Sequence, residues 1–375
     1  MHSHILQFIS KNVEIRKSVA ENLFIFIASI IQQKTVNLNE LKNQVGKITK
    51  KYKTGEESHY KRLTRFLQHN RLSTLWVHAL TYGLELLNQK IDHCYLDATE
   101  WKIGLFNCED SPLHILVLAT DYKGIAIPIY FEVFEHKGVL SEQERMAFME
   151  RACSFCPLAQ TTLIGDREFI GDAWFTCLVN LGMNFIIRIR KNMYQKNLCN
   201  GRSYESLQKR AKRKGKASEL IKIKDTTFRL WLIDKKNDPK EPFIYILTNI
   251  LDKRQVPDLY RLRWKIELLF KYFKTNGYNL EDLRITDLNK IRLMITMLTL
   301  ACIFTILAGK DREKEKPTKQ KKYADGRTFD AVSVFKRGES FLKQHFISLT
   351  RFLDLIQFLN VHIKGKLPYD IHFVQ

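Results

Sequence analysis

The chain has 375 residues, 45% of them hydrophobic and 27% charged, the balance of a folded protein; at about 150 residues per domain it holds two or three domains. Wholesale disorder, a collagen and a small disulfide scaffold are excluded. Lys and Arg number 61 against 40 Asp and Glu, a net charge of +21, which predicts a polyanionic partner, nucleic acid first and an anionic membrane surface second.

The first 90 residues read as helical. Residues 23–31 form an apolar stretch that suits a buried helix. In SHYKRLTRFLQHNRLSTLWVHAL, Tyr60, Leu63, Phe66 and Leu67 recur at three- and four-residue steps. Lys61, Arg62, Arg65 and Arg71 flank that stripe. The segment is either a solvated helix with an ordinary charged face or a small DNA-binding unit; the global charge favours the second. MHSHILQFISKNVEIRK lacks the pattern of a signal peptide.

The period changes near residue 91. IDHCYLDATEWKIGLF, HILVLATDYKG and AIPIYFEVFE read as three consecutive strands. SEQERMAFMERACSF follows as a helix, with Ser141 and Glu144 placed for a capping box. TTLIGDREF is a strand, 172–181 a helix and FIIRIRK a strand. Three strands, helix, strand, helix, strand predict an α/β mixed sheet with helices on its faces. Cys153 and Cys156 make one C-x-x-C, read as structural, and the seven scattered cysteines fit a reducing cytoplasm.

Residues 192–242 break the rhythm and read as an inserted, basic, β-rich subdomain. Its KRAKRKGK is either a solvated loop or the basic tip of that subdomain. YILTNI is a buried strand, and a long helix spans about 256–275 with Pro257 in its first turn. A helix at about 287–308 includes the longest uncharged run, short of the about 20 residues of a membrane span. It reads as a core helix, so no membrane is expected. A charged linker and two amphipathic helices, SVFKRGESFLKQHF and SLTRFLDLIQFLNVHI, follow. The expected division is 1–90, 91–310 with the insertion at 192–242, and 311–375.

The helix at 256–275 concentrates the chemistry. At about 100° per residue, with Tyr260 at 0°, Arg263 falls at about 300°, Glu267 at about 340°, Lys274 at about 320° and Lys271 at about 20°. Leu262, Ile266, Leu269, Phe270 and Phe273 form the apolar face. A phenol, a guanidinium, a carboxylate and an ammonium therefore share one stripe. It is either a phosphate grip or a surface Arg–Glu pair. Two further acids bear on the choice. Asp97 lies within a strand and Asp166 at the end of another, each among apolar neighbours. A buried carboxylate needs a partner or a cation, and three oxygen donors suit Mg²⁺. Asp121 and Glu100 read as strand or turn surface.

On these residues the chain resembles the DDE transposases of bacterial insertion sequences. Asp97, Asp166 and Glu267 look like their acidic triad. Tyr260, Arg263, Glu267 and Lys274 match the Y-x2-R-x3-E-x6-K signature of insertion sequence family four. LDATEWKIG, IGDREFIGDAWFTCLVNLGMNFIIRIRK and FKRGESFL resemble that family's recurring blocks. Arg167 and Glu168 depart from its usual neighbours of the second aspartate. The resemblance covers about residues 90–345. It implies an RNase H-like core with the insertion between the second and third acids. It implies Mg²⁺ or Mn²⁺, two ions during catalysis, on Asp97, Asp166 and Glu267. It implies cut-and-paste transposition: hydrolysis at the element's end, a hairpin intermediate, and joining of 3′-OH ends to target DNA.

Double-stranded DNA, as terminal inverted repeats and as target, is the expected partner. Tyr260, Arg263 and Lys274 would grip it, with Lys271, Arg188 and Arg190 added. A homodimer in the DNA complex and a bacterial, cytoplasmic, nucleoid-associated location are expected. Trp231 is the candidate to stack a displaced base, with a buried strand tryptophan as its other reading; Trp101 and Trp264 read as core. The competing functions are a catalytically silent DNA-binding protein and a metal-dependent nuclease without strand transfer.

Overall fold

The computed structural model describes residues 17–49, 51–68, 91–101, 113–135, 138–191, 193–236, 238–251, 255–283, 285–322, 326 and 328–345. The chain divides into two units. One holds residues 90–100 and 114–268, the other residues 1–89, 101–113 and 269–375.

The first unit is built on one sheet. Its strands are β1 (His93–Trp101), β2 (Leu113–Tyr122), β3 (Ile125–Phe134), β4 (Thr162–Gly165), β5 (Asn184–Ile189), β6 (Lys216–Ile223), β7 (Thr226–Asp234) and β8 (Phe243–Thr248). They lie in the order β3-β2-β1-β4-β5-β8-β7-β6. The three central strands β1, β4 and β5 are parallel, and β8, β7 and β6 continue from β5 antiparallel. Parallel strands need crossovers. The crossover from β3 to β4 is a helix, Glu142–Phe155, which opens on the expected capping box of Ser141 and Glu144. The one from β4 to β5 is Asp172–Asn180. The predicted order of three strands, helix, strand, helix, strand is therefore observed. The central strands are almost wholly buried runs, TLIG and NFIIRI, as strands covered on both faces must be.

The insertion differs from expectation. β6 and β7 are not a separate β-rich body but extend the main sheet through β8. KRAKRKGK is not a loop; it closes a helix, Tyr204–Lys214. The composition is strongly helix-forming, and its cations sit in the last turn, where the helix dipole favours them.

The predicted helix at 256–275 is interrupted. It runs as Val256–Tyr260, a 3₁₀ turn Arg261–Arg263, a helix Trp264–Lys271 and a π turn Tyr272–Asn276. The uniform angular step used for the stripe therefore fails at both ends. Tight and wide turns inside a helix are found disproportionately at functional sites.

The second unit is helical. Lys17–Gln33, Leu38–Thr49 and Glu56–Leu67 pack together in the N-terminal part. The 28-residue helix Leu288–Glu315 lies against Lys17–Gln33 and against Val334–His345. It is apolar enough by length and composition to cross a membrane, yet it is mostly buried among protein. A helix apolar on every side needs neighbours on every side, so it groups with the terminal helices rather than with the sheet, and the boundary expected at 310 falls inside it. Residues 1–16, 69–90 and 346–375, including the last amphipathic helix, lie outside the described residues.

Two glycines let helices Leu288–Glu315 and Val334–His345 approach closely. A Cβ on Gly338 would collide with the Thr305 carbonyl oxygen, and one on Gly309 with the Val334 carbonyl oxygen. Gly338→Ala is predicted to destabilise the protein by about 1–3 kcal/mol, since overpacking outweighs the roughly 1 kcal/mol that Ala gains over Gly in a helix. Denaturant unfolding measures this; a more stable variant would contradict the crossing.

Candidate active site

Strand pairing brings the two aspartates together. Tyr95 pairs with Ile164 and Leu96 with Gly165 in the parallel β1–β4 ladder, so Asp97 and Asp166 are the next residues in the same row. Adjacent strands lie about 4.8 Å apart. Side chains alternate along a strand, so Tyr95, Asp97, Ile164 and Asp166 all point to one face. Asp166 follows the carboxyl end of β4, and Asp97 lies within β1 where its pairing with β4 ends; α/β sheets open their binding crevices at the carboxyl ends of parallel strands.

The helix run 256–271 supplies the rest. Arg263 bonds to Glu267, one turn on, and reaches Asp166 at 3.8 Å through its other terminal nitrogen. One guanidinium thus stands between the second and third acids. Tyr260 is buried, and its hydroxyl makes no hydrogen bond of acceptable geometry. Burial and the Asp166 charge push this phenol up, while Arg263 and Arg188 pull it back. A buried donor without a partner is costly, and a phosphate oxygen would supply one.

Asp97 is the most perturbed acid of the group. Burial pushes its carboxyl up to about 7, and Asp166 and Glu168 add to the rise. Arg263 and the Ala98 N–H, which donates to Asp97 Oδ1 at 2.9 Å, pull it back without prevailing. Among the described residues no three His, Cys, Asp or Glu side chains already form a metal cage. The donors nonetheless fit a hard divalent ion. All are carboxylates, and Asp97 is an acid that burial and its acidic neighbours hold well above the usual carboxylate range.

Two networks that the sequence did not disclose hold the frame. Asp121 on β2 accepts from the Tyr95 hydroxyl at 2.5 Å and pairs with Lys265 at 2.8 Å. Lys265 precedes Glu267 by two residues, so this contact fixes the helix to the sheet beside Asp97. Burial raises the Asp121 carboxyl, but the Lys265 and Tyr95 hydrogen bonds outweigh it and hold it below the usual range. Asp121 is thus not a surface residue. The signal that singled out Asp97, an acid within an apolar strand, applied equally to Asp121 in HILVLATDY.

The second network secures the loop after Asp166. Buried Arg145 donates to the Glu168 and Ile170 carbonyls at 2.5 and 3.2 Å. Glu142 accepts the Trp174 N–H at 2.8 Å. It lies so close to Gly171 that a Cβ there would collide with it. Spacing alone gave no sign of this clamp.

The other expected residues are scattered. Arg188 extends the row of Asp97 and Asp166 onto β5, where it pairs with Glu241 at 2.6 Å. Arg190 is exposed just beyond β5. Lys271 ends its helix and Lys274 lies in the π turn, both in the helical unit. Trp231 is 5% exposed inside β7, the placement of a core side chain, with no open face for a displaced base. Trp264, expected in the core, is 59% exposed.

Residues 147–304 match the family model described as "Transposase DDE domain". That stretch holds Asp166, Tyr260, Arg263 and Glu267, and strand pairing adds Asp97 from outside it. No curated protein matches the chain. Among solved structures, the chain is similar to the piggyBac transposase in its synaptic complex with hairpin DNA, determined by cryo-electron microscopy. Identity is 11% and the TM-score 0.50, covering 96% of this chain and 78% of that one. At that identity the likeness is one of fold: a mixed α/β sheet with helices, consistent with an RNase H-like core.

Asp97→Asn should reveal the buried charge. An acid whose folded pKa (about 7) exceeds its unfolded value (3.8) costs stability as the pH rises between them. Without divalent ions, the variant is predicted to melt above wild type at pH 8, with the gap closing as pH falls toward 3.8. Calorimetry checks this; a variant melting at or below wild type at pH 8 would contradict the assigned environment.

Proposed function

We propose that this chain is a DNA transposase of the DDE type that cuts and pastes an insertion sequence, of the kind grouped as insertion sequence family four. The observation that carries the reading is the row of Asp97 and Asp166 on adjacent parallel strands, tied through Arg263 to Glu267. The match to the transposase DDE domain and the net charge of +21 support it.

Asp97, Asp166 and Glu267 would hold Mg²⁺ or Mn²⁺. Such ions lower the pKa of an attacking oxygen and steady the leaving one in phosphodiester exchange. The protein's own groups place the phosphate. Arg263 turns part of its charge from Glu267 to a phosphate oxygen, which frees Glu267 for the metal. The Tyr260 hydroxyl donates to a second oxygen and gains the partner it lacks. Lys271, Lys274 and Arg190 are proposed as further contacts to the DNA backbone. Arg188, engaged with Glu241, orders the row beside Asp166 and contacts DNA only if that pair opens.

The reaction sequence proposed is four exchanges at phosphorus. Water attacks the element's end, the P–O3′ bond breaks, and a 3′-OH is freed. That hydroxyl attacks the opposite strand, closing a hairpin and releasing the element. Water reopens the hairpin. The 3′-OH then attacks a target phosphodiester, one P–O bond forming as another breaks. Each step needs only a proton removed from the attacker and one returned to the leaving oxygen. Holding two ends together calls for a dimer on DNA.

The test is cleavage of labelled duplexes carrying the element's own ends, with Mg²⁺ or with EDTA. Glu267→Gln is predicted to reduce nicking and hairpin formation by at least about 10²–10³-fold, the scale of losing one transition-state contact, while DNA binding persists. Binding without cleavage in every condition would leave a silent DNA-binding protein. Cleavage without joining to target would leave a nuclease. Cleavage that survives Glu267→Gln would remove Glu267 from the site.

A further inference from the structure

Residues 188–224 carry thirteen Lys and Arg against two Glu. Three of these cations are neutralised locally: Arg188 on Glu241, and Arg202 and Arg210 on the buried Glu219. The other ten form no ion pair among the described residues. Such a concentration of like charge repels itself, and a mobile loop would relieve that by spreading out. This segment is not free to spread. Helix Tyr204–Lys214 is capped by Ser203, whose hydroxyl accepts the Ser206 N–H at 3.2 Å. Leu207 and Ala211 are buried, and Tyr204 stacks on Tyr245 at 6.3 Å with ring planes 10° apart. Lys209, Lys212, Arg213, Lys214 and Lys216 are exposed on this fixed frame.

Strand register locates the patch relative to the acids. The row through Asp97 and Asp166 continues to Arg188, which pairs with Ile246; Ile246 pairs with Trp231, and Trp231 with Ser218. Lys216, where the helix hands over to β6, is two residues from Ser218. The start of β6 lies at the sheet end that carries the acids, because β6 runs antiparallel to β7, β7 to β8 and β8 to β5. Four strand spacings separate β4 from β6, about 19 Å at about 4.8 Å each. Duplex DNA advances about 3.4 Å per base pair, so this span is about five to six base pairs.

We propose that the last turn of helix Tyr204–Lys214 and the start of β6, which reach the sheet end that carries the acids although the helix packs through Tyr245 and Glu219 on the opposite sheet face, bind the backbone phosphates of duplex DNA about five to six base pairs from the scissile phosphate. The proposal rests on the reading that the chain cuts DNA. The chemistry of this patch selects the partner. Its apolar residues are turned inward, so it has no apolar side to sink into a membrane. Its aromatic ring, Tyr204, is stacked inside, so it offers no platform for unpaired bases. What remains is a set of exposed cations on a fixed frame, a contact that positions DNA without reading its sequence.

The test uses the full chain with Lys212→Ala, Arg213→Ala, Lys214→Ala and Lys216→Ala combined, and Lys212→Ala alone in case the combination fails to fold. Affinity for duplexes carrying the element's ends is measured against salt, with phosphate-ethylation interference on the same DNA. The logarithmic salt slope is predicted to fall by about 3–4 in the fourfold variant and by about 0.9 in the single one, at about 0.9 per lost phosphate contact. Interference about five to six base pairs from the cut should vanish, while interference at the cut remains. Duplexes extended on only one side of the cut distinguish element DNA from flanking DNA. An unchanged slope with unchanged interference overturns the proposal and leaves the cutting function intact. A wild-type protein that binds no duplex overturns the function, and the proposal with it.

Discussion

The site depends on one constraint: two aspartates on neighbouring parallel strands, in the same row, with the Arg263 guanidinium shared between the second of them and the third acid. Carboxylates so placed resist ionising together. Arg263 relieves this only in part. It is bonded to Glu267 and 3.8 Å from Asp166, and half-buried Asp97 stays high at about 7 despite its pull. The site is therefore short of positive charge in the row where the proposed transposase would hold a divalent ion. That shortage ties the fold to the chemistry.

The surrounding structure keeps the acids from relaxing apart. Lys265 and Tyr95 converge on Asp121 and fasten the helix bearing Glu267 to the sheet bearing Asp97. Arg145 and Glu142, one turn of helix apart, hold the loop that leaves Asp166 by its carbonyls and by the first turn of the next helix. Backbone carbonyls recognised by a buried guanidinium define a loop path more narrowly than apolar packing does. Acids this close are tolerated because the frame around them is over-determined.

Much of this was legible in the sequence. Hydrophobic runs and turn residues disclosed the strand–helix order around Asp97 and Asp166, and isolated acids in apolar strands marked both sites. Registry between β1 and β4 was not legible, because parallel partners distant in sequence leave no local trace. The stripe of Tyr260, Arg263 and Glu267 was found by assuming a uniform helix. The 3₁₀ turn at Arg261–Arg263 and the π turn at Tyr272–Asn276 show why that wheel misjudged Tyr260, which is buried. Trp231 takes the buried strand reading, inside a sheet that the insertion extends, whereas Trp264, read as core, is exposed. Lys265 sits off the wheel's polar stripe, and only its contact with Asp121 shows its role.

The most direct measurement is Mn²⁺ binding by electron paramagnetic resonance, on wild type and on Asp97→Asn combined with Asp166→Asn. The account predicts binding by wild type at pH 8, weakening as the pH falls through about 7, where protons compete for Asp97. It predicts loss of that binding in the double variant. Equal Mn²⁺ binding by the two proteins would contradict the claim that the aspartates of these adjacent strands form the metal centre.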